Sequence, residues 1–371
     1  MVTGSPVIKS ASIIITSFNY AQFIGNTITS ALSQTFPNVE VIVVDDGSTD
    51  GSLSVIQSFG TRIALIAQEN KGAAAAEYAG FVRAKEDLIL FLDSDDLLYP
   101  TAIEESVALF TADTSKVQFC LEAIDASGAP FNSTMPPKMP REKDIENLVF
   151  RFGLYPYPPT SGNAYSRRFL LQVLPCTEPG IGASTDLYAA VLAPLYGRVR
   201  VSERVLGGYR IHGRNMCATE PSLPKIRTEV VAFAAAQRAL ETHCAKFNRT
   251  IELGLHWRRP YYCKRRLISL KADRATHPFP KDRLFELAWK GLVATFLSPA
   301  PTDLYPTNPL MNRVALVPLF FLLPFLPSRL VNEKFSIFDG GKTRLIETLK
   351  GISRSILERA RSLGKAPRGS I

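Results

Sequence analysis

Two clusters of carboxylates each follow directly on an apolar run in the first hundred residues: VEVIVVDDGS at 39–48 and LILFLDSDD at 88–96. Few folds accommodate this. The runs at 12–16, 39–44, 62–67 and 88–92 are short and continuously apolar, as buried parallel strands require. Between the first two, Phe23/Thr27/Ala31 and Ile24/Ile28/Leu32 recur at i, i+4 and predict a helix ending before Pro37. Further helices are expected at 52–59 and 72–84, and Pro100 opens a fourth. Alternating strands and helices at this spacing define an α/β domain with a mostly parallel central sheet. Ligands of such sheets bind outside the carboxyl ends of the strands, where both acidic clusters fall.

Carboxylates gathered at one sheet edge repel one another and call for a cation. Oxygen donors with only four His in the chain favour Mg2+ or Mn2+ over zinc. Such an ion keeps substrate phosphates among its ligands, so the edge reads as a metal–diphosphate site. The plainer alternative is that Asp and Gly after a strand only form turns and caps. That alternative is preferred for Asp50, ahead of the second helix. For Asp93 and Asp95 the functional reading is preferred.

Four segments then carry a family resemblance: TSFNY at 16–20, SQTFPNVEVIVVDDGSTDGS at 33–52, ENKG at 69–72 and LILFLDSDDLLYP at 88–100. In this order the stretch 13–100 resembles the donor-binding half of glycosyltransferase family 2, an inverting group with the GT-A fold. The motif-bearing resemblance extends to about residue 215. It implies a nucleotide-diphosphate sugar donor, with Thr16 and Phe18 lining the base and ribose pocket and Asp46 accepting a hydrogen bond from the base. Asn70 and Gly72 of ENKG fall in the same donor-binding set, and Asp45 is structural. Asp93 and Asp95 correspond to the D-x-D motif, Asp93 against ribose and metal and Asp95 a direct ligand of Mn2+ or Mg2+. Asp96 lies behind them or caps a helix.

An inverting transfer also needs a base at the acceptor hydroxyl. By resemblance this is Asp186, in GASTDLYAAV at 182–191, with Thr185 where family members carry Glu. The alternative is that Ser184 or Thr185 caps the helix and Asp186 only favours its positive end. His212, in YRIHGRN, resembles an element that closes over the diphosphate. It is a third metal ligand, a phosphate contact or a structural residue. Arg210 and Arg214 stabilise phosphate charge or are solvated, and Gly162 and Asn163 match the acceptor-loop region. One departure stands out: Ala76-Glu77-Tyr78 occupies the place of Ala-Arg-Asn, which leaves the choice among UDP, dTDP and GDP donors open.

The remaining strand is expected near 117–124, followed by Pro-rich loops at 130–140 and 155–159, helices at 167–174 and 186–195, and a hairpin-like segment at 198–210. Beyond residue 216 the texture changes. Residues 1–215 hold 17 Lys and Arg against 22 Asp and Glu, and residues 216–371 hold 26 against 12. The expected organisation is a GT-A domain at 1–215, with a donor half at about 10–115 and an acceptor half at about 116–215, then a helical, basic C-terminal extension at 216–371. That extension opens with a helix near 223–247, followed by WRRPYYCKRR at 257–266. VALVPLFFLLPFLP at 314–327 is too short to span a bilayer. It is either core or membrane-associated. Residues 342–363 place Leu345, Leu349, Ile352, Ile356, Ala360 and Leu363 on one helical face with basic residues elsewhere, the pattern of a helix lying in a membrane interface.

A hydrophobic content of 46% excludes a wholly disordered chain. Five widely spaced Cys argue against a disulfide framework and fit a reducing cytosol. The N-terminus does not read as a secretory signal. The expectation is therefore a metal-dependent enzyme that moves a sugar to a glycan or lipid-linked acceptor in surface polysaccharide synthesis. It would be cytoplasmic and peripheral at an anionic membrane surface, with no nucleic acid as partner. The rivals are a haloacid-dehalogenase-like phosphatase, since FLDSDDL resembles that signature, and a non-catalytic sugar-nucleotide-binding scaffold.

Overall fold

A computed structural model describes residues 8–180, 185–213, 215, 222–252, 254–297 and 309–339. The expected helix at 342–363, and residues Ser184 and Arg214, lie outside these. The chain divides into two compact units, Met1–Thr219 with Val231–His256 and Thr302–Pro306, and Glu220–Val230 with Trp257–Pro301 and Thr307–Ile371.

The first unit is built on a mixed sheet. Its strands are β1 (Ala11–Ser17), β2 (Val39–Asp45), β3 (Ala64–Ala67), β4 (Leu88–Asp93), β5 (Leu97–Leu98), β6 (Thr114–Ile124), β7 (Pro130–Met135), β8 (Asn163–Ser166) and β9 (Arg198–Arg210). The order is β3-β2-β1-β4-β8-β6-β9-β5, with β7 beside β6. Strands β1 to β4 are mutually parallel, while β8 runs antiparallel to both β4 and β6. Helices α1 (Ile24–Leu32), α2 (Ser52–Gln57), α3 (Ala73–Arg83), α4 (Ala102–Leu109), α5 (Glu142–Phe152), α6 (Arg167–Val173) and α7 (Asp186–Tyr196) complete it, with part of α8 (Leu223–Lys246). Strands β1 to β4 with α1 to α3 form the parallel α/β half expected from the sequence, and the later strands make the sheet mixed.

Strand alternation builds two cores. Ile14, Ile42, Val44, Ile89 and Phe91 face one side of the sheet with residues of α3, α5, α6 and α7. Ile13, Ile15, Val41, Val43, Leu90 and Leu92 face the other with residues of α1, α2 and α4. Burial on both faces is why these strands read as continuous apolar runs rather than alternating ones. Helix α3 lies close on the sheet at Gly80, where an added Cβ would stand 2.3 Å from Ile14 Cγ2.

Two expectations are corrected. Residues 130–135 form a strand, not a loop: they pair with β6 across a turn in which Asp125 accepts from Ser127 N at 2.8 Å and Ala129 N at 2.9 Å. Residues 198–210 form one strand, not a hairpin. They run parallel to β6 with register shifts that absorb the irregular spacing.

In the second unit, the start of α8 and helices α9 (Pro260–Ala272), α10 (Leu284–Leu297), α11 (Pro309–Leu322) and α12 (Ser328–Asp339) surround Ile226, Leu267, Leu287, Leu316, Phe320 and Val331. The basic stretch at 257–266 supplies a buried ion pair. Arg266 Nη2 donates to Asp282 Oδ1 at 2.7 Å, His277 Nε2 lies 3.0 Å from Asp282 Oδ2, and the guanidinium stacks 3.5 Å from the Phe279 ring centroid. Among the described residues no helix is long and apolar enough to cross a membrane.

Candidate active site

The register of the parallel strands sets the site. Thr16 pairs with Asp93 across β1 and β4, and Ser17 with Asp45 across β1 and β2. Both acidic clusters therefore leave the sheet at one edge. Asp46 N donates to Ser17 O at 2.8 Å, which turns the chain out of β2. The Asp46 carboxylate then accepts from Gln68 Nε2 at 2.7 Å, Lys71 N at 2.9 Å and Gly72 N at 2.8 Å. It thereby pins Asn70 and Gly72 of the ENKG segment to the edge. Gly47 is required there: its φ is +80°, and a Cβ would lie 2.8 Å from Asn70 N. The Phe18 ring is 43% exposed at the same edge. Asp45 accepts from Ser48 N at 3.1 Å, a turn role. Asp50 accepts from Ala21 N and Ser52 N just ahead of α2, a turn role.

After β4 the three aspartates part company. Asp95 Oδ2 lies 2.8 Å from His212 Nε2 and 3.3 Å from Asn215 Nδ2. The His212 ring packs on Phe23 with centroids 4.7 Å apart and on Tyr20 at 5.8 Å, and its Nδ1 is buried without a hydrogen-bond partner among the described residues. Asp96 is buried and accepts from Ser161 Oγ at 2.6 Å and Arg210 N at 2.9 Å. Asp93 N donates to the same Ser161 hydroxyl at 3.1 Å. Removal from water, then the charges of Asp96, Asp95, Glu77 and Asp186, push the Asp93 carboxyl well above the usual range. Asp93, Asp95, Asp186 and Glu77 thus share one electrostatic neighbourhood, although they come from β4, the turn after it, α7 and α3.

Arg210 is neither a phosphate contact nor solvated. Its guanidinium is buried, donates to Asp95 O at 2.7 Å and to Ala126 O at 3.0 Å, and lies over the Phe23 ring. It ties β9 to the turn that carries the aspartates. Asn163 is likewise structural, its Nδ2 donating to Pro158 O at 3.1 Å and Pro159 O at 2.7 Å.

Asp186 opens α7, where its Oδ1 accepts from Leu187 N at 2.6 Å. Just before it, Thr185 N donates to Glu77 Oε2 at 2.9 Å, and the Thr185 hydroxyl donates to the same oxygen. Burial, reinforced by the Asp186 charge, raises the Glu77 carboxyl to about 7 against the pull of those hydrogen bonds. Lys116, fully buried, donates to Tyr155 Oη at 3.0 Å and Gln118 Oε1 at 3.1 Å. Burial holds its amine well below the usual lysine range, with the Asp186 charge acting the other way.

The sequence did not single out Ser161, Asn215 or Lys116 for the site. Asn215 was within reach, since it ends the quoted YRIHGRN. Ser161 and Lys116 carry no local signal; only the sheet topology brings them in.

The donor set suits a hard divalent cation bound partly by substrate. Among the described residues no three His, Cys, Asp or Glu side chains converge into a ready-made cage. Mg2+ in phosphate-transfer sites is typically held by one or two carboxylates plus substrate phosphates. A cation at this edge would offset the mutual repulsion around Asp93.

Residues 12–174 match the family model for glycosyl transferase family 2. An uncharacterized glycosyltransferase of Nostoc sp. is 34% identical over 212 residues, covering 55% of this chain and 65% of that protein. The glycosyltransferase GlyG of Streptococcus pneumoniae is 37% identical over 97 residues, 25% of this chain and 32% of that one. The chain thus spans less than two thirds of the length of these curated relatives. Among solved structures, S. aureus TarS in complex with UDP aligns at 16% identity and a TM-score of 0.47, covering 88% of this chain and 91% of that one. The mannosyltransferase PcManGT of Pyrobaculum calidifontis, in complex with GDP-Man and Mn2+, aligns at 17% identity and 0.44, covering 92% and 90%. The matched segment contains the sheet edge at which both acidic clusters lie. Through residues 12–174 the chain is similar to glycosyltransferase family 2.

Proposed function

We propose that the protein transfers a sugar from a nucleotide-diphosphate sugar to a hydroxyl acceptor with inversion at the anomeric carbon. The observation that carries this reading is the gathering of Asp93, Asp95 and Asp186 around the carboxyl edge of β4. Thr16, Phe18, Asn70 and Gly72 line the donor side. Asp46 uses three of its roughly four acceptor positions on the 68–72 loop, which leaves one for a base N–H. Asp93 would face the ribose and, with Asp95 and His212, would hold Mn2+ or Mg2+. When bound, that ion neutralises charge building on the departing diphosphate. Asp186 takes the proton from the acceptor hydroxyl. The acceptor oxygen bonds to the anomeric carbon as the carbon–oxygen bond to the β-phosphate breaks, and its electron pair leaves with the nucleoside diphosphate.

The acceptor in this reading is a glycan or lipid-linked saccharide of surface polysaccharide synthesis, reached by a peripheral protein on the cytoplasmic face of an anionic membrane. The basic excess beyond residue 216 supports that placement.

A donor panel of UDP-, dTDP- and GDP-sugars with Mn2+ tests the reading through release of the nucleoside diphosphate. Asp186→Ala is expected to bind donor and fail to transfer. Normal turnover by that variant would remove Asp186 as the base. Release of phosphate from generic phosphomonoesters without any sugar transfer would favour the phosphatase rival.

A further inference from the structure

The helical second unit carries an apolar surface that its own core does not use. On α10, Phe285 is 63% exposed and Trp289 is 65% exposed. Their spacing of four residues puts them on one stripe, while Leu287 and Ala294 face the core. Helix α11 is divided in the same way. Leu316, Leu319 and Phe320 are buried, whereas Val314 and Phe321 are exposed, and Phe325 in the following turn is 75% exposed. The Phe285 and Phe325 rings lie 5.8 Å apart, so the two stripes meet in one surface. Scattered exposed apolar residues are ordinary, but a contiguous group of large ones marks an interaction site.

The surrounding charge selects the partner. Of the ten Lys and Arg in residues 257–297, Arg259, Lys264 and Arg266 are buried and Arg265 and Lys290 pair with Glu229 and Glu286, while Arg274, Lys281 and Arg283 are exposed. Lys281 and Arg283, beside Phe285, are exposed, while Asp282 is taken up by the buried Arg266. Large apolar rings, one of them a tryptophan with a polar N–H, set beside exposed cations on helices not long and apolar enough to cross a bilayer, match the chemistry of an anionic lipid interface.

We propose that the Phe285–Trp289–Phe321–Phe325 surface is a membrane-docking face that inserts its aromatic rings among the headgroups of an anionic bilayer. This deepens the peripheral-membrane part of the proposed function. It assigns the contact to the folded α10–α11 pair rather than to residues 342–363.

The test uses the full chain with vesicles of phosphatidylcholine, alone and mixed with phosphatidylglycerol. The parent protein is expected to float with the mixed vesicles and to dissociate with salt. Phe285→Ser/Trp289→Ser/Phe325→Ser is expected to reduce flotation roughly tenfold or more; nucleotide binding and a far-ultraviolet spectrum like the parent's show that it has folded. Brominated lipid should quench the parent's tryptophan fluorescence far more than that of Trp289→Phe, which keeps only Trp257 of the two tryptophans. If the triple variant floats like the parent, the docking face is wrong while membrane binding stands. If the parent does not float, both fail. If the triple variant instead turns a dimer into a monomer with flotation unchanged, a second copy of the chain is the occupant and the proposal is overturned.

Discussion

Glu77 and Thr185, 108 positions apart, are joined by two hydrogen bonds to one carboxylate oxygen. Both are positions where the sequence departs from the pattern it otherwise resembles, and they are in contact. Glu77 lies on α3, which begins at the loop pinned by Asp46. Thr185 immediately precedes Asp186. The carboxylate thus fastens the N-terminus of α7 to α3, and it is removed from water in doing so.

On the proposed reading, this contact positions Asp186. Thr185→Val removes the hydroxyl donor and leaves the backbone N–H. It is expected to lower kcat roughly tenfold with little change in donor KM, the pattern of a group that acts only when the bond is breaking. Thr185→Ser should restore the rate. Steady-state release of nucleoside diphosphate measures both, and a change confined to KM would contradict the positioning role.

The same carboxyl makes stability depend on pH. Its value rises from the ordinary 4.5 to about 7 on folding, so the folded state binds the proton more tightly. Stability is therefore full below about 4.5 and declines as pH rises toward 7, by about 3 kcal/mol in total. Glu77→Gln keeps an acceptor for Thr185 and cannot ionise. Urea midpoints between pH 4.5 and 8 should fall more steeply for the parent than for this variant; parallel curves would rule the assignment out.

Much of this site was readable because its parts are local. The runs ending at Asp45 and Asp93 fix two strands, and parallel pairing forces their ends to one edge. The ENKG segment also announced itself, though not that Asp46 holds it. What stayed hidden depends on pairing across long separations. Strand β8 inserts antiparallel between β4 and β6 and brings Ser161 under Asp96. Strand β9 runs the length of β6 and returns Arg210, His212 and Asn215 to Asp95. No periodicity within a window reports such neighbours. The two corrected segments have the same cause: β7 and β9 are strands because β6 pairs with them, not because their own residues demand it.

Helix α3 tolerates no side chain at Gly80, where the backbone comes within contact of Ile14. Gly80→Ala would gain helix propensity yet force α3 off β1. Overpacking of this kind costs about 1–3 kcal/mol. The melting temperature should drop accordingly, and an unchanged or raised value would mean the two elements are less tightly packed than described.

Arg210 stabilises the turn rather than the substrate. Replacing it with Met leaves Asp95 O and Ala126 O without their donors and Asp96 without its neighbouring charge. Losing one partner of a buried charged network costs about 3–5 kcal/mol. Chemical denaturation of Arg210→Met should show that loss. A variant of parental stability that had only lost nucleotide affinity would instead make Arg210 a phosphate ligand.

The account rests most directly on Asp95 and its neighbours receiving a cation together with a diphosphate. Titration calorimetry of UDP, dTDP and GDP into the full chain, with and without Mn2+, tests this in one measurement. The expected result is that at least one nucleotide binds only when Mn2+ is present, and that Asp95→Ala abolishes the dependence. Equal binding with and without the metal, or an Asp95→Ala variant indistinguishable from the parent, would contradict it.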